Sequence, residues 1–396
     1  MQFAERMSRL GTESAFDVLV RAKALEAQGR HIVHLEIGEP DFDTPAHIVE
    51  AGIAALRAGE THYTPAAGIP QLREAIAEYT SLTRGVELAP ERVVVTPGAK
   101  PIMFFVIQAL AGEGDEVVYP DPGFPIYESV INYAGATAVP LRLSEERGFS
   151  FAPEELAGLV SERTSLVIIN SPHNPTGGTI SPEALDELAR LANEYDFMVL
   201  SDEIYARMLY DGAHESIITR PGMLERTIIL DGFSKTYAMT GWRLGYGVMP
   251  LEMAEQVTRL AVNCNSCVAA FTQIAGVAAL TGPQEPAEAM IAEFRRRRDA
   301  VVAGLNEIPG VTCRTPAGAF YVFPNISSFG RSSTEIASLL MDEGGVSLLA
   351  GTAFGAAGEG YLRLSYANSL ANLELALERI GNTLAGVRDS GTGIRG

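Results

Sequence analysis

From Val93 onward, short β-branched runs alternate with helical stretches, and this alternation restricts the fold more than any other feature of the chain. RVVVTP precedes a helical stretch from Lys100, DEVVYP one near Tyr127 and SLVIIN one from Pro182, after which FMVLSD begins. Parallel strands need a crossover between them, usually a helix, and strands covered on both faces read as continuous apolar runs. The expectation is an α/β fold with a mostly parallel sheet flanked by helices. Two more strands, TIILDGF and RLGYGVMP, lead into long helical stretches from Leu251 to about Asn306. The pattern then shortens to TCRTP, AFYVFP, VSLLAG and YLRLSY, with helices after Ser333 and from Asn372. That change implies a large domain over residues 46–290 and a smaller α/β domain made of 1–45 and 291–396. The closing RDSGTGIRG reads as a frayed tail.

Charge and composition exclude several classes. A formal net charge of -19 repels nucleic-acid phosphates and acidic membrane surfaces, so neither is an expected partner. MQFAERMSRL mixes acids and bases and lacks the apolar core of a signal peptide, and the best apolar stretch, Pro101 to Ala111, is too short to span a bilayer. Three cysteines make no disulfide framework, which fits the cytoplasm. Cys264 and Cys267 form a C-x-x-C without a second pair or a nearby histidine, so no metal site is expected. G-x-S-x-G, H-E-x-x-H, P-loop and G-x-G-x-x-G motifs are missing, which sets aside serine hydrolases, zincins, NTPases and Rossmann dehydrogenases.

Only three of the 30 basic residues are lysine. Lys23, in RAKALEAQGR, reads as a solvated charge on an amphipathic helix. Lys100 follows Gly98-Ala99 at a strand-to-helix turn, where free N–H groups and the helix dipole suit a phosphate, or where the residue simply opens the helix. Lys235 lies in the apolar and aromatic DGFSKTYAMTGWRLGY, where desolvation would lower its pKa and prepare the amine to attack an aldehyde. The bland alternative is a buried ion pair with Asp231. Arg243 suits the same phosphate, or a salt bridge at a strand start.

Asp202 closes the FMVLSD run, at the carboxyl edge where open α/β sheets place ligands. There it would hold a pyridine nitrogen protonated, or cap a turn. Tyr205 would face the same side and reach a phenolic oxygen, or merely pack. In NSPHNPTGG the prolines and glycines make a rigid turn, where Asn174 would hold a ring hydroxyl or serve the turn alone. His173 beside it reads as an exposed loop histidine.

NPTG, SDEIY and SKTYAMTGWRLGY, in this order and with GEPDFDTP before them and YLRLSYANS after, resemble the class I and II aminotransferases, the aspartate aminotransferase-like group of pyridoxal phosphate (PLP) fold type I. The resemblance implies that Lys235 holds pyridoxal 5'-phosphate as a Schiff base, that Asp202 binds its ring nitrogen, and that Tyr205 and Asn174 bind its 3'-oxygen. It likewise implies a phosphate loop of Gly98, Ala99 and Lys100, a phosphate arginine in Arg243, and a stacking ring in Phe124. Arg363 in YLRLSY and the Gly38 backbone in GEPDF would take the substrate's α-carboxylate, with Asn174 nearby. Tyr63 resembles a tyrosine that reaches the phosphate in a neighbouring subunit, which implies a homodimer with shared sites.

One departure is Gly232, where many relatives carry a phosphate-binding serine; the adjacent Ser234 is left open as a substitute. The implied activity moves an amino group from an L-amino acid to a 2-oxo acid by a ping-pong mechanism through pyridoxamine phosphate, with aspartate or glutamate favoured. The rivals are a PLP-dependent β-lyase on the same fold, which would release ammonia, and a PLP-binding regulator, for which the chain has no basic DNA-binding module.

Overall fold

The computed structural model describes residues 1–392, with side chains described through 388. An amphipathic helix α1 (Ser14–Glu26) is followed by a two-residue strand β1 (Val33–His34) and helices α2 (Ala46–Arg57) and α3 (Pro70–Arg84). Helix α3 starts on Pro70 and stops at Gly85, whose φ of 69° ends the helix in the left-handed region. The expected alternation then appears as β2 (Val93–Thr96), α4 (Lys100–Leu110), β3 (Glu116–Asp121), α5 (Ile126–Ala134), β4 (Thr137–Arg142), α6 (Pro153–Leu159), β5 (Thr164–Asn170), α7 (Pro182–Tyr195), β6 (Met198–Asp202), β7 (Thr227–Gly232) and β8 (Gly245–Val248).

Strands β2 to β8 make one seven-stranded sheet in the order β2-β8-β7-β6-β5-β3-β4. Only β8 runs against its neighbours, so the sheet is mostly parallel. Strand β4 was not among the expected strands. Pro140 interrupts TAVPLR as a strand signal, and the strand is tolerated because it lies at the edge, paired with β3 alone.

Side-chain alternation covers both faces of this sheet. Leu166 and Ile168 of β5 pack with Ile102 and Val106 of α4 and Val257 of the helix that follows β8, whereas Val167 and Ile169 pack with Leu185 and Leu188 of α7. The β2 and β7 end of the sheet is closed by Ile48 of α2, Leu72 of α3 and Ala275.

The long helical stretch resolves into α8 (Leu251–Cys264), α9 (Ala270–Thr281) and α10 (Glu285–Glu307). Then come β9 (Tyr321–Val322), α11 (Ser333–Asp342), β10 (Val346–Ser347), β11 (Leu349–Ala350), β12 (Leu362–Ser365) and α12 (Leu370–Thr392). Strands β11, β12 and β9 form an antiparallel sheet, and β1 pairs in parallel with β10, so the N-terminal segment joins the C-terminal portion. Their core is built around Phe294, Phe320, Tyr321 and Tyr366. TCRTP makes only a bridge at Thr312, and α12 runs into the segment read as a tail, as far as Thr392; residues 393–396 lie outside the described residues. Among the described residues no helix is long and apolar enough to cross a membrane.

Candidate active site

The carboxyl ends of β5, β6 and β7, the start of α4, the segment after β1 and strand β12 converge on one cavity of about 410 Å³. In-register pairing of Asn170 with Asp202 places the ends of β5 and β6 side by side. Ten of the twelve residues singled out from sequence line this cavity: Gly38, Ala99, Lys100, Phe124, Asn174, Asp202, Tyr205, Lys235, Arg243 and Arg363. Gly98 sits behind Arg243, and Tyr63 is 92% exposed and is not part of the lining.

Lys235 follows β7, and its Nζ donates to the Gly38 carbonyl at 2.6 Å. Burial pulls its pKa down to about 8; Arg363 and Arg243 add to this, and Glu39 and Glu13 oppose it. The alternative partner, Asp231, is engaged elsewhere: its carboxylate accepts from Arg84 at 3.2 Å, Tyr246 at 3.2 Å and the Gly232 N–H at 2.7 Å.

Asp202 is buried, and burial pushes its carboxyl up to about 6 against two opposing hydrogen bonds, from the Tyr127 hydroxyl at 2.6 Å and the Ile204 N–H at 3.2 Å. The Tyr205 hydroxyl lies 2.7 Å from that of Tyr321. Asn174 donates its backbone N–H to Asn170 Oδ1 at 2.9 Å, while its own Oδ1 is buried with no protein partner.

Arg363 is 3% exposed, donates Nη2 to the Glu36 carbonyl at 2.5 Å and lies over the rings of Tyr321 and Phe354. Its buried Nε has no protein partner. Arg243 adopts φ +54°, a left-handed conformation that costs energy for a side-chain-bearing residue, and donates Nη1 to the Thr240 carbonyl at 2.7 Å. Its Nη2 lies 2.2 Å from where a Cβ on Gly98 would stand, so a side chain there would displace the guanidinium, and the Gly98 φ of +84° itself favours glycine. Gly38 is equally confined, since a Cβ there would be 2.0 Å from the Tyr321 hydroxyl. Lys100 is ion-paired with Glu13, and its Nζ lies 5.3 Å from the centre of the Phe124 ring.

Several contributors were not read from the sequence. Tyr127 lies three residues after Phe124 in the same DPGFPIY segment and meets its ring edge-on, so its place beside that residue was open to reading. Tyr321, Phe354 and Glu13 carry no local signal, because they arrive from distant segments. His173, expected as an exposed loop histidine, is instead 1% exposed, bonds Thr176 Oγ1 at 2.8 Å, and has its pKa lowered to about 3 by burial. At Gly232 a Cβ would stand 3.0 Å from the Gly245 Cα, so the side chain many relatives have there would be crowded; Ser234 lines the cavity. Among the described residues no group of three or more His, Cys, Asp or Glu is placed to hold a metal ion.

A family model described as aminotransferase class I and II matches residues 30–380. The chain is 41% identical to an aspartate aminotransferase of Pyrococcus horikoshii, over 97% of either chain. It is 39% identical to aromatic-amino-acid aminotransferase 2 of Thermococcus litoralis, over 97% of this chain and 98% of that one. The solved structure of the Thermus thermophilus aspartate aminotransferase with maleate superimposes with a TM-score of 0.92 at 38% identity, over 97% of this chain and 100% of that one.

Proposed function

The chain belongs to the class I and II aminotransferases, with the architecture of PLP fold type I, and from that premise we propose that it takes the amino group of aspartate or glutamate to a 2-oxo acid. Members of the family use pyridoxal phosphate. The observation that carries the assignment to this site is the meeting, in one cavity, of a desolvated Lys235 amine, a buried Asp202 and a buried Arg363 with an unpartnered Nε. The relatives named as aspartate aminotransferases support the choice of donor.

The donor set fits the cofactor. Asn174 Oδ1 is a buried, unpartnered polar atom, and a side chain at Gly98 would meet the Arg243 guanidinium where it now stands. Arg243 with the Gly98-Ala99-Lys100 turn at the start of α4 would hold the phosphate, Phe124 would cover the ring, and Asn174 and Tyr205 would hold its oxygen. Asp202, fixed by Tyr127, would pair with the ring nitrogen.

When bound, the cofactor supplies an electron sink for the charge left at the substrate's Cα. Arg363 would grip the α-carboxylate with its planar fork, and the Gly38 backbone would border it. Lys235 Nζ would then take the proton from Cα, a task for the neutral amine that burial favours. The residues before 46 and after 290 are proposed as the small domain, although residue 290 falls within the continuous helix α10. A cytoplasmic homodimer completes the proposal.

The deciding measurement is the visible spectrum of the protein with pyridoxal phosphate, beside a Lys235→Ala control. A long-wavelength band that is absent in the control and is bleached by aspartate or glutamate supports the reading. A band unaffected by Lys235→Ala sinks it, and bleaching with ammonia release would indicate a lyase.

A further inference from the structure

Side chains alternate along the segment that begins with β1: Val33 and Leu35 enter the core of the C-terminal portion, so His34 and Glu36 share the other face. Glu36 is nevertheless 0% exposed; its Oε1 lies 2.7 Å from His34 Nδ1, and its Oε2 is buried with no protein partner. The second ring nitrogen of His34 lies 3.0 Å from Oε1 of Glu26, the last residue of α1. With a carboxylate oxygen at each nitrogen, both nitrogens serve as donors and the ring is a cation. Burial opposes that charge, but the hydrogen bonds to Glu36 and Glu26 hold the His34 pKa above the usual histidine value. A carboxylate buried in this way is a poor source of stability, so its place needs another reason.

The Glu36 backbone supplies one. Its carbonyl accepts from Arg363 Nη2 at 2.5 Å, and the neighbouring Leu35 carbonyl accepts from the Ser365 N–H at 2.9 Å, so the segment is stitched to β12, the strand that carries Arg363. Among acids, Glu36 is felt at Arg363 ahead of Glu13. We propose that Glu36 is a positioning residue for Arg363: its side chain, pinned by His34, fixes the backbone carbonyl that aims the guanidinium at the substrate's α-carboxylate. A carboxylate set directly on the guanidinium would compete with the substrate for the fork. Held behind it, with its charge matched by His34, Glu36 steadies Arg363 through the main chain and leaves Nε without a protein partner.

This inference rests on the aminotransferase site proposed above. Its test uses the cofactor-loaded protein, with binding of the non-reacting probe propionate followed by absorbance, and steady-state kinetics with glutamate. Glu36→Ala is expected to weaken propionate and raise KM about tenfold while kcat stays within about twofold, because Arg363 shifts and Lys235 does not. Glu36→Gln keeps the shape and a hydrogen bond to the ring and should recover most of that affinity. The His34 side chain is 25% exposed, so His34→Ala tests the pin even where Glu36→Ala fails to fold, and the same loss of about tenfold is expected. Propionate affinity that is unchanged in these variants, or a fall in kcat with KM unmoved, overturns the role of Glu36 while the Lys235-dependent band leaves the site intact. Failure of the wild type to show that band overturns both.

Discussion

Lys235 shows how burial alters an ordinary side chain, since desolvation holds its amine below the usual lysine pKa. Its pKa of about 8 means that below this pH the amine is mostly protonated and cannot attack an aldehyde, whereas above it the neutral form dominates. Stopped-flow capture of pyridoxal phosphate by the cofactor-free protein should accelerate about tenfold per pH unit up to that point and level off above it. A rate that keeps climbing to pH 10 would place the amine in water instead. Arg363 is the second residue whose chemistry is testable alone. Arg363→Lys retains a charge but loses the fork, so KM for the amino acid should rise about a hundredfold while the Lys235 band persists. An unchanged KM would move the α-carboxylate elsewhere.

At the scale of elements, the ends of β6 and β7 carry three buried carboxylates, Asp202, Glu203 and Asp231. Helix α3 answers two of them with Arg84, which donates to Glu203 at 2.6 Å and to Asp231 at 3.2 Å. The guanidinium and His214 hold Glu203 well below the usual carboxylate range despite its burial, whereas for Asp231 burial wins and pushes the carboxyl up to about 6. Arg84→Met leaves Glu203 and Asp231 without the guanidinium they share, and urea unfolding should report a loss of about 3–5 kcal/mol. A loss under 1 kcal/mol would mean that the acids are neutralised another way. This network was not legible in the sequence, because Arg84 lies far from both partners along the chain and looks like any helix-terminal arginine. The strands were legible where they are apolar throughout, as in SLVIIN, and not where Pro140 breaks the run in β4.

For the whole molecule, Tyr63 is among the large side chains that a single chain leaves exposed, since a tyrosine 92% exposed buries almost none of its ring. If it completes a partner's phosphate site, Tyr63→Ala should lower pyridoxal phosphate affinity about tenfold. Mixing it with Lys235→Ala should restore activity through hybrid dimers; a mixture with no gain, or a monomer by sedimentation, would argue against shared sites. The sequence alone determined the layer architecture, because β-branched runs separated by helical spacing can bury themselves only as a covered parallel sheet. It also marked Lys235, Asp202, Asn174 and Arg363, whose order along the chain matches a family. Tertiary structure decided what those residues touch. Burial by Tyr205 and Phe320, the Tyr127 bond to Asp202 and the Glu13 partner of Lys100 come from segments remote in sequence, and no local pattern encodes a distance between them.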